Sequence, residues 1–341
     1  MGGNVFKGVS VRLSQEHYLT VCNHVVSELR ALMPQGKVFA VPSYGAKNDF
    51  GDLDVLISSG ALNTSEQYLA LKATTEELFG ALDWVRNGPV VSIDYRKAPV
   101  PSRKAFQVDL IRQEEDSYDY GLCYFSFNDL GNLLGRIAHA MGVAHRHDGL
   151  YWYLRDGTYL FDEIQLTKEY SETLEFLGLD PGVFEKGFHE LEEVFQYVAS
   201  SPYFRPEIYL LENRNHASRI RDRKRKTYTK FLDWCKANSS VAEPLPEDKS
   251  VWFERIQQFF PHFETKRAEL SHLLAENRQA KEKFNGKRVS ELTGLTGKAL
   301  GKLMQTIRAG FQDDKAFIQY VLSTSEEELK ALILRTVREL H

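Results

Sequence analysis

Asp52-Leu53-Asp54 opens the apolar run Val55-Leu56-Ile57, and Asp109 sits alone in a second run, Ala105-Phe106-Gln107-Val108-Asp109-Leu110-Ile111. Both runs read as short strands. Side chains two apart in a strand share a face, so Asp52 and Asp54 stand side by side while Leu53 and Val55 turn toward a core. Two carboxylates on one face repel unless a cation sits between them. Hard oxygen donors of this kind suit Mg²⁺, with Mn²⁺ acceptable in its place. An unpaired carboxylate among Val and Leu is expensive to bury, so Asp109 asks for the same explanation. If the two strands are neighbours, the three acids form the ligand set of a two-metal phosphoryl-transfer site.

The elements that must position these acids can be read around them. A helix is expected over residues 14–33, with Tyr18, Val21, Cys22, Val25, Val26 and Leu29 on one stripe. A strand at 37–41 follows, then the turn Pro42-Ser43-Tyr44-Gly45-Ala46-Lys47. Ser43 reads either as an ordinary turn residue or as a donor of hydroxyl and backbone N–H groups to a polyphosphate. Lys47 reads as a solvated loop lysine or as a phosphate contact. A second helix is expected over 65–82, strands at 84–86 and 90–95 around Asn87-Gly88-Pro89, and a helix over 128–141. Tyr124 and Phe125 read as core packing at the start of that last helix. Asp129 and Asn132, three apart, share its face. The pattern is α+β, with a mixed sheet and helices.

At these residues the chain resembles the DNA polymerase beta superfamily of nucleotidyltransferases. Ser43, Asp52, Asp54 and Asp109 match its Gly-Ser turn, its Asp-x-Asp strand and its later third Asp, with Pro42 where the family has Gly. Tyr124-Phe125-Ser126-Phe127-Asn128-Asp129-Leu130-Gly131-Asn132 is similar to the nucleotide-binding segment of the family X polymerases, with Phe127 in place of a Gly. The likeness runs from about residue 37 to 142, and more thinly to 206. It implies a nucleotidyltransferase palm in which Asp52, Asp54 and Asp109 bind two Mg²⁺ ions and Ser43 and Lys47 cradle the triphosphate. It further implies that Tyr124 and Phe125 lie near the sugar, with Asp129 and Asn132 at the base.

Beyond the palm, strands are expected at 150–154, 159–161 and 164–166, then helical structure over 167–206, surest at 190–200. The densest basic run lies at 213–226 and contains Arg219, Arg221, Arg223, Lys224, Arg225 and Lys226. Continued through Tyr228, Phe231, Leu232 and Trp234, it reads as one helix whose cations either face solvent or contact phosphate. Residues 238–249 read as a linker, and everything after them as helical, with one helix over 250–283 and a last one over 326–340. The segment from Gly294 to Ile307 resembles the C-terminal region of bacterial CCA-adding enzymes and poly(A) polymerases. Within it, Gly297 and Gly301 bare one helix face, for close packing by a second helix or for a phosphate backbone. The expected domains are a catalytic palm (1–142), a β-hairpin and helical substrate-binding region (143–237), the linker, and a helical C-terminal domain (250–341).

Composition narrows the partners. With 43 basic and 47 acidic residues and a net charge of −4, no global field draws the chain to nucleic acid, so any such contact rests on local patches. Three scattered cysteines give neither a disulfide framework nor a zinc site, and a reducing cytoplasm is expected. No apolar run reaches transmembrane length, and no signal peptide opens the chain. Met1-Gly2-Gly3 begins like a myristoylation signal, but Phe6 stands where Ser or Thr is required. Only one helix is expected before the acids, which speaks against a templated repair polymerase. The expectation is transfer of NMP from an NTP, ATP included, to a hydroxyl, with release of pyrophosphate. The favoured acceptor is the 3′ end of a nucleic acid, RNA over DNA. The rivals are nucleotidylation of a protein or small molecule, and a non-catalytic nucleic-acid-binding module. Oligomeric state is left open.

Overall fold

Helix α1 (Gln15–Leu32) begins where the Ser14 hydroxyl accepts the His17 N–H, and it buries Tyr18, Val21, Val25 and Leu29 at helical spacing. The computed structural model describes residues 3, 5–238 and 243–340. Met1 and Gly2 of the N-terminal signal, and residues 239–242 of the expected linker, lie outside the described residues. Strands β1 (Val38–Ala40) and β2 (Asp52–Ser58) follow α1. Helix α2 (Ser65–Phe79) opens on a Thr64–Gln67 capping box and stops at Gly80, whose φ of 63° suits glycine.

Strands β3 (Trp84–Asn87), β4 (Val90–Tyr95) and β5 (Phe106–Gln113) complete a five-stranded mixed sheet in the order β1-β2-β5-β4-β3. Its one parallel pair is β2 with β5, the two acid-bearing strands. A parallel pair needs a long crossover, and α2 with the β3–β4 hairpin supplies it. One face of the sheet presents Leu53, Val55, Ile57, Val108 and Leu110 to the main core, where Val21, Val25, Leu71 and Phe79 from α1 and α2 cover them. The other face carries the acids at one end and Leu56 and Ile111 at the other, the latter packed under Tyr118. Burying each such apolar side chain is worth about 1.5–3 kcal/mol. A one-residue slip would therefore bury the carboxylates and expose the core, so the apolar partners fix the face that the acids take.

Helix α3 (Tyr118–Phe125) and helix α4 (Leu130–Ala140) lie after β5. Tyr124 and Phe125 close α3 and do not open α4, contrary to the sequence expectation. The chain turns between the two helices through Phe127 and Asn128, both at positive φ (57° and 65°). The Phe127 ring, set between Phe184 and Phe188 at 5.4 and 4.9 Å, offsets that backbone cost. Strand β6 (Val143–Arg146), not expected from the sequence, joins β7 (Gly149–Asp156) and β8 (Tyr159–Thr167) in a three-stranded sheet. Helices α5 (Tyr170–Phe176), α6 (Pro181–Lys186) and α7 (Leu191–Ala199) follow.

The basic run is two helices, α8 (His216–Arg223) and α9 (Lys226–Asn238), where one was expected. Asp222 is fully buried against Arg214 at 2.7 Å, and Arg225 is paired with Asp129, so tertiary ion pairs break the run with no Gly or Pro in it. The helix expected over 250–283 is likewise two, α10 (Phe253–Phe259) and α11 (Phe263–Lys283), parted at Pro261. Helices α12 (Gly286–Thr293), α13 (Gly297–Ala309), α14 (Asp314–Ser323) and α15 (Glu326–Leu340) complete the helical C-terminal region.

Two compact units result, Met1–Trp152 with Gln165–Pro261, and Tyr153–Ile164 with His262–His341. The first has the five-stranded sheet at its centre. In the second, Phe284, Val289, Leu303, Ile307, Phe317, Val321 and Leu329 form a separate core. A Cβ added at Gly297 or Gly301 would meet no atom within 4 Å, so these glycines face open space and do not seat a second helix. Among the described residues no helix is long and apolar enough to cross a membrane.

Candidate metal centre and cleft

The register of β2 on β5 sets Asp54 opposite Asp109 and Asp52 opposite Gln107. Three carboxylates from two strands thus meet, with one oxygen from each lying within 4.8 Å of the others. They are placed to hold a metal ion: the donors are hard oxygens, converging and half-buried. Their electrostatics call for one. Burial pushes the Asp54 carboxyl well above the usual carboxylate range, and the Asp52 and Asp109 charges push it further. Burial also raises Asp52, with the Lys47 ammonium pulling the other way. A divalent ion would reverse each shift.

Asp109 differs from its companions in being held. Ser92, opposite it on β4, donates to Oδ1 at 2.6 Å. Gln107 Nε2 donates to both oxygens, at 3.0 and 2.8 Å. The Gln107 side-chain oxygen Oε1 in turn accepts the Val5 N–H at 2.9 Å, which fixes the way the amide points. Burial raises the Asp109 carboxyl, and these two donors oppose it. Oδ1 therefore has both lone pairs engaged, and Oδ2 keeps one for a metal. Sequence reading missed Gln107 and Ser92. Gln107 was accessible to it as the same-face neighbour two residues before Asp109; Ser92 required the strand pairing.

Asp52 and Asp54 open into a cleft of about 810 Å³. Its lining gathers most of the expected residues: Ser43, Lys47, Tyr124, Phe125, Asp129 and Asn132, with Arg221, Arg225 and Lys226 of the basic run. Arg12, Tyr18, Tyr44 and Lys230 join them unexpectedly. Asp109, which meets Asp52 and Asp54 from the neighbouring strand, is not part of the lining. Arg219, Arg223 and Lys224 are not brought to the cleft; Arg223 and Lys224 are exposed, and Arg219 donates to the Arg214 carbonyl at 3.0 Å.

The Ser43 turn is tied down on both sides. The Phe127 N–H donates to the Pro42 carbonyl at 2.8 Å, and the Gly45 and Ala46 N–H groups donate to the carbonyls of Phe188 and His189 at 2.9 and 2.7 Å. A Cβ at Gly45 would stand 3.0 Å from the His189 ring, which is a reason for glycine there. Lys47 leans over the Phe50 ring at 4.5 Å. Burial lowers its pKa, while Asp52 and Asp54 pull it back up.

Across the cleft, Asp129 is paired with Arg225. The Asn132 amide nitrogen is buried without a protein acceptor. Tyr124 packs on His145 at 4.8 Å, and burial keeps that imidazole neutral, its pKa pulled down to about 4. Six basic and four acidic side chains line the cleft, and among the described residues Lys226 and Lys230 have no ion-pair partner. The arrangement puts an acidic centre beside a surplus of cations, which suits a substrate carrying several phosphates.

No protein-family model matches the chain, and no curated protein matches it in sequence.

Proposed function

We propose that this chain is a metal-dependent nucleotidyltransferase of the DNA polymerase beta type, which moves NMP from an NTP to a hydroxyl and releases pyrophosphate. The observation that carries the reading is the parallel register that makes Asp54 and Asp109 direct neighbours with Asp52 on the same face. A module that only binds nucleic acid gains nothing from three mutually repelling acids. Two Mg²⁺ ions, when bound, would lower the acceptor hydroxyl's pKa and neutralise charge on the triphosphate. Asp52 and Asp54 would ligate both ions and Asp109 the one on the acceptor side. Ser43 and Lys47 would receive the triphosphate, and the Tyr124–Phe125 corner with Asp129 and Asn132 would receive the nucleoside. Positioning and charge neutralisation then supply most of the rate, because the acceptor oxygen needs only to reach the α-phosphorus in line with the departing pyrophosphate.

The acceptor we favour is the 3′ end of RNA, because Arg221, Lys226 and Lys230 rim the same cleft and the segment from Gly294 to Ile307 resembles RNA-extending enzymes. Incubation with NTPs labelled at the α-phosphate, Mg²⁺, and a panel of RNA and DNA oligonucleotides and tRNA tests this. Label on RNA, lost in the Asp109→Asn variant, is the expected result. Label on protein or a nuclease-resistant small product moves the acceptor to that class. Absence of label from every acceptor contradicts the proposal.

A further inference from the structure

The second unit has a pocket of its own, about 430 Å³ in volume. That lies within the roughly 300–1,000 Å³ usual for small-molecule sites. Phe284 and Phe317 line it, edge to face at 5.2 Å and both buried. Tyr159 and Phe161 from the β7–β8 hairpin also line it. Arg278 of α11 secures that hairpin by donating to Asp156 at 2.7 Å. Lys281 and Arg308 stand in the wall, the Arg308 guanidinium 5.3 Å from the centre of the Phe317 ring. Among the described residues neither cation has an ion-pair partner.

This pairing of surfaces narrows the occupant. An inorganic anion would use the cations and leave the aromatic faces idle. A purely apolar ligand would cover the aromatics and strip water from two unpaired charges, which is costly. A planar heteroaromatic ring joined to a phosphate uses both, by stacking and cation–π contact on one side and charge neutralisation on the other. Asp314 and Asn277, also in the wall, add acceptors for an exocyclic amino group. We infer that this pocket is a second nucleotide site, taking the base against Tyr159 and Phe161 and the phosphate beside Lys281 and Arg308. The shared chemistry belongs both to a free mononucleotide and to one unit of a single-stranded nucleic acid. The inference does not depend on nucleotidyl transfer at the aspartate centre.

The test uses the full chain in EDTA, so that no metal at the aspartates holds phosphate. Binding of a fluorescein-labelled oligoadenylate is followed by anisotropy, with AMP as competitor. Tyr159 is 65% exposed and Arg308 is exposed, so their replacement spares the fold, and matching thermal unfolding curves check this. Tyr159→Ala is expected to weaken binding by about 5- to 150-fold, the usual worth of one stacked base, while Tyr159→Phe retains it. Arg308→Gln and Lys281→Gln are each expected to reduce the salt slope by about 0.7. Competition by AMP assigns the site to free nucleotides; binding of the oligomer alone assigns it to single strands. Wild-type affinity in Tyr159→Ala and Arg308→Gln, or no binding of either probe to the wild type, overturns the inference. Label transfer at the aspartate centre is read in a separate assay, so the two proposals fail independently.

Discussion

Two donors, Ser92 and Gln107, make three hydrogen bonds to Asp109 while, among the described residues, Asp52 and Asp54 accept no side-chain hydrogen bond. Asp109 is thus aimed before any ion arrives, and its companions are free to adjust. Partners behind a metal ligand typically matter by about 10–100-fold in affinity or activity. Gln107→Leu is therefore expected to weaken Mn²⁺ binding by about that factor. Ser92→Ala should cost less, since Gln107 still reaches both oxygens. Isothermal titration of the two variants checks the order. Asp-x-Asp was legible in the sequence because strand geometry alone puts residues two apart on one face. Asp109 joined it only through a guess about strand pairing. The Asp129–Arg225 pair was not legible at all, because nothing local links residues 96 apart.

At the scale of elements, the site depends on close approach of α3 and α4. A Cβ at Gly131 would lie 2.3 Å from the Tyr124 carbonyl oxygen, so only glycine allows that spacing. Gly131→Ala should force the helices apart and destabilise the protein by about 1–3 kcal/mol, measured by urea unfolding. It should also raise the KM for NTP, because Tyr124 and Phe125 move with α3. Helix α1, strands β2 and β5 and helix α7 were readable because their apolar periodicity is strong. Strand β6 is four residues long and α3 has Gly121 in its middle, so neither carries a periodic signal of useful length. The α8–α9 break arises from ion pairs made elsewhere in the fold. The α10–α11 break was missed although Pro261, with no N–H to give, stands in it, because the apolar pattern on either side of it reads as one continuous helix.

For the whole molecule, the raised carboxylates link stability to pH and to metal. Asp52, Asp54 and Asp109 bind protons more tightly folded than unfolded. Their contribution is present below the ordinary carboxylate pKa and is lost as pH rises through the raised values. The metal-free protein should therefore lose stability as pH climbs from mild acid toward neutrality, and Asp54→Asn should flatten that slope. Mg²⁺ or Mn²⁺ competes with those protons, so its stabilisation should be larger at neutral pH than in mild acid. At 100 times the dissociation constant it amounts to about 2.7 kcal/mol. Thermal unfolding across pH, with and without the ion, checks both signs. The modest net charge of −4 gave no hint of the cation surplus in the cleft, because that surplus is assembled from residues far apart in sequence.

The most direct measurement is the number of Mn²⁺ ions bound per chain in the presence of a non-hydrolysable NTP, by electron paramagnetic resonance. Two ions are expected for the wild type, one for Asp109→Asn, and none held tightly by the Asp52→Asn, Asp54→Asn double variant. An Asp109→Asn protein that binds as the wild type does, or a wild type that binds no ion, would contradict a shared metal centre on β2 and β5.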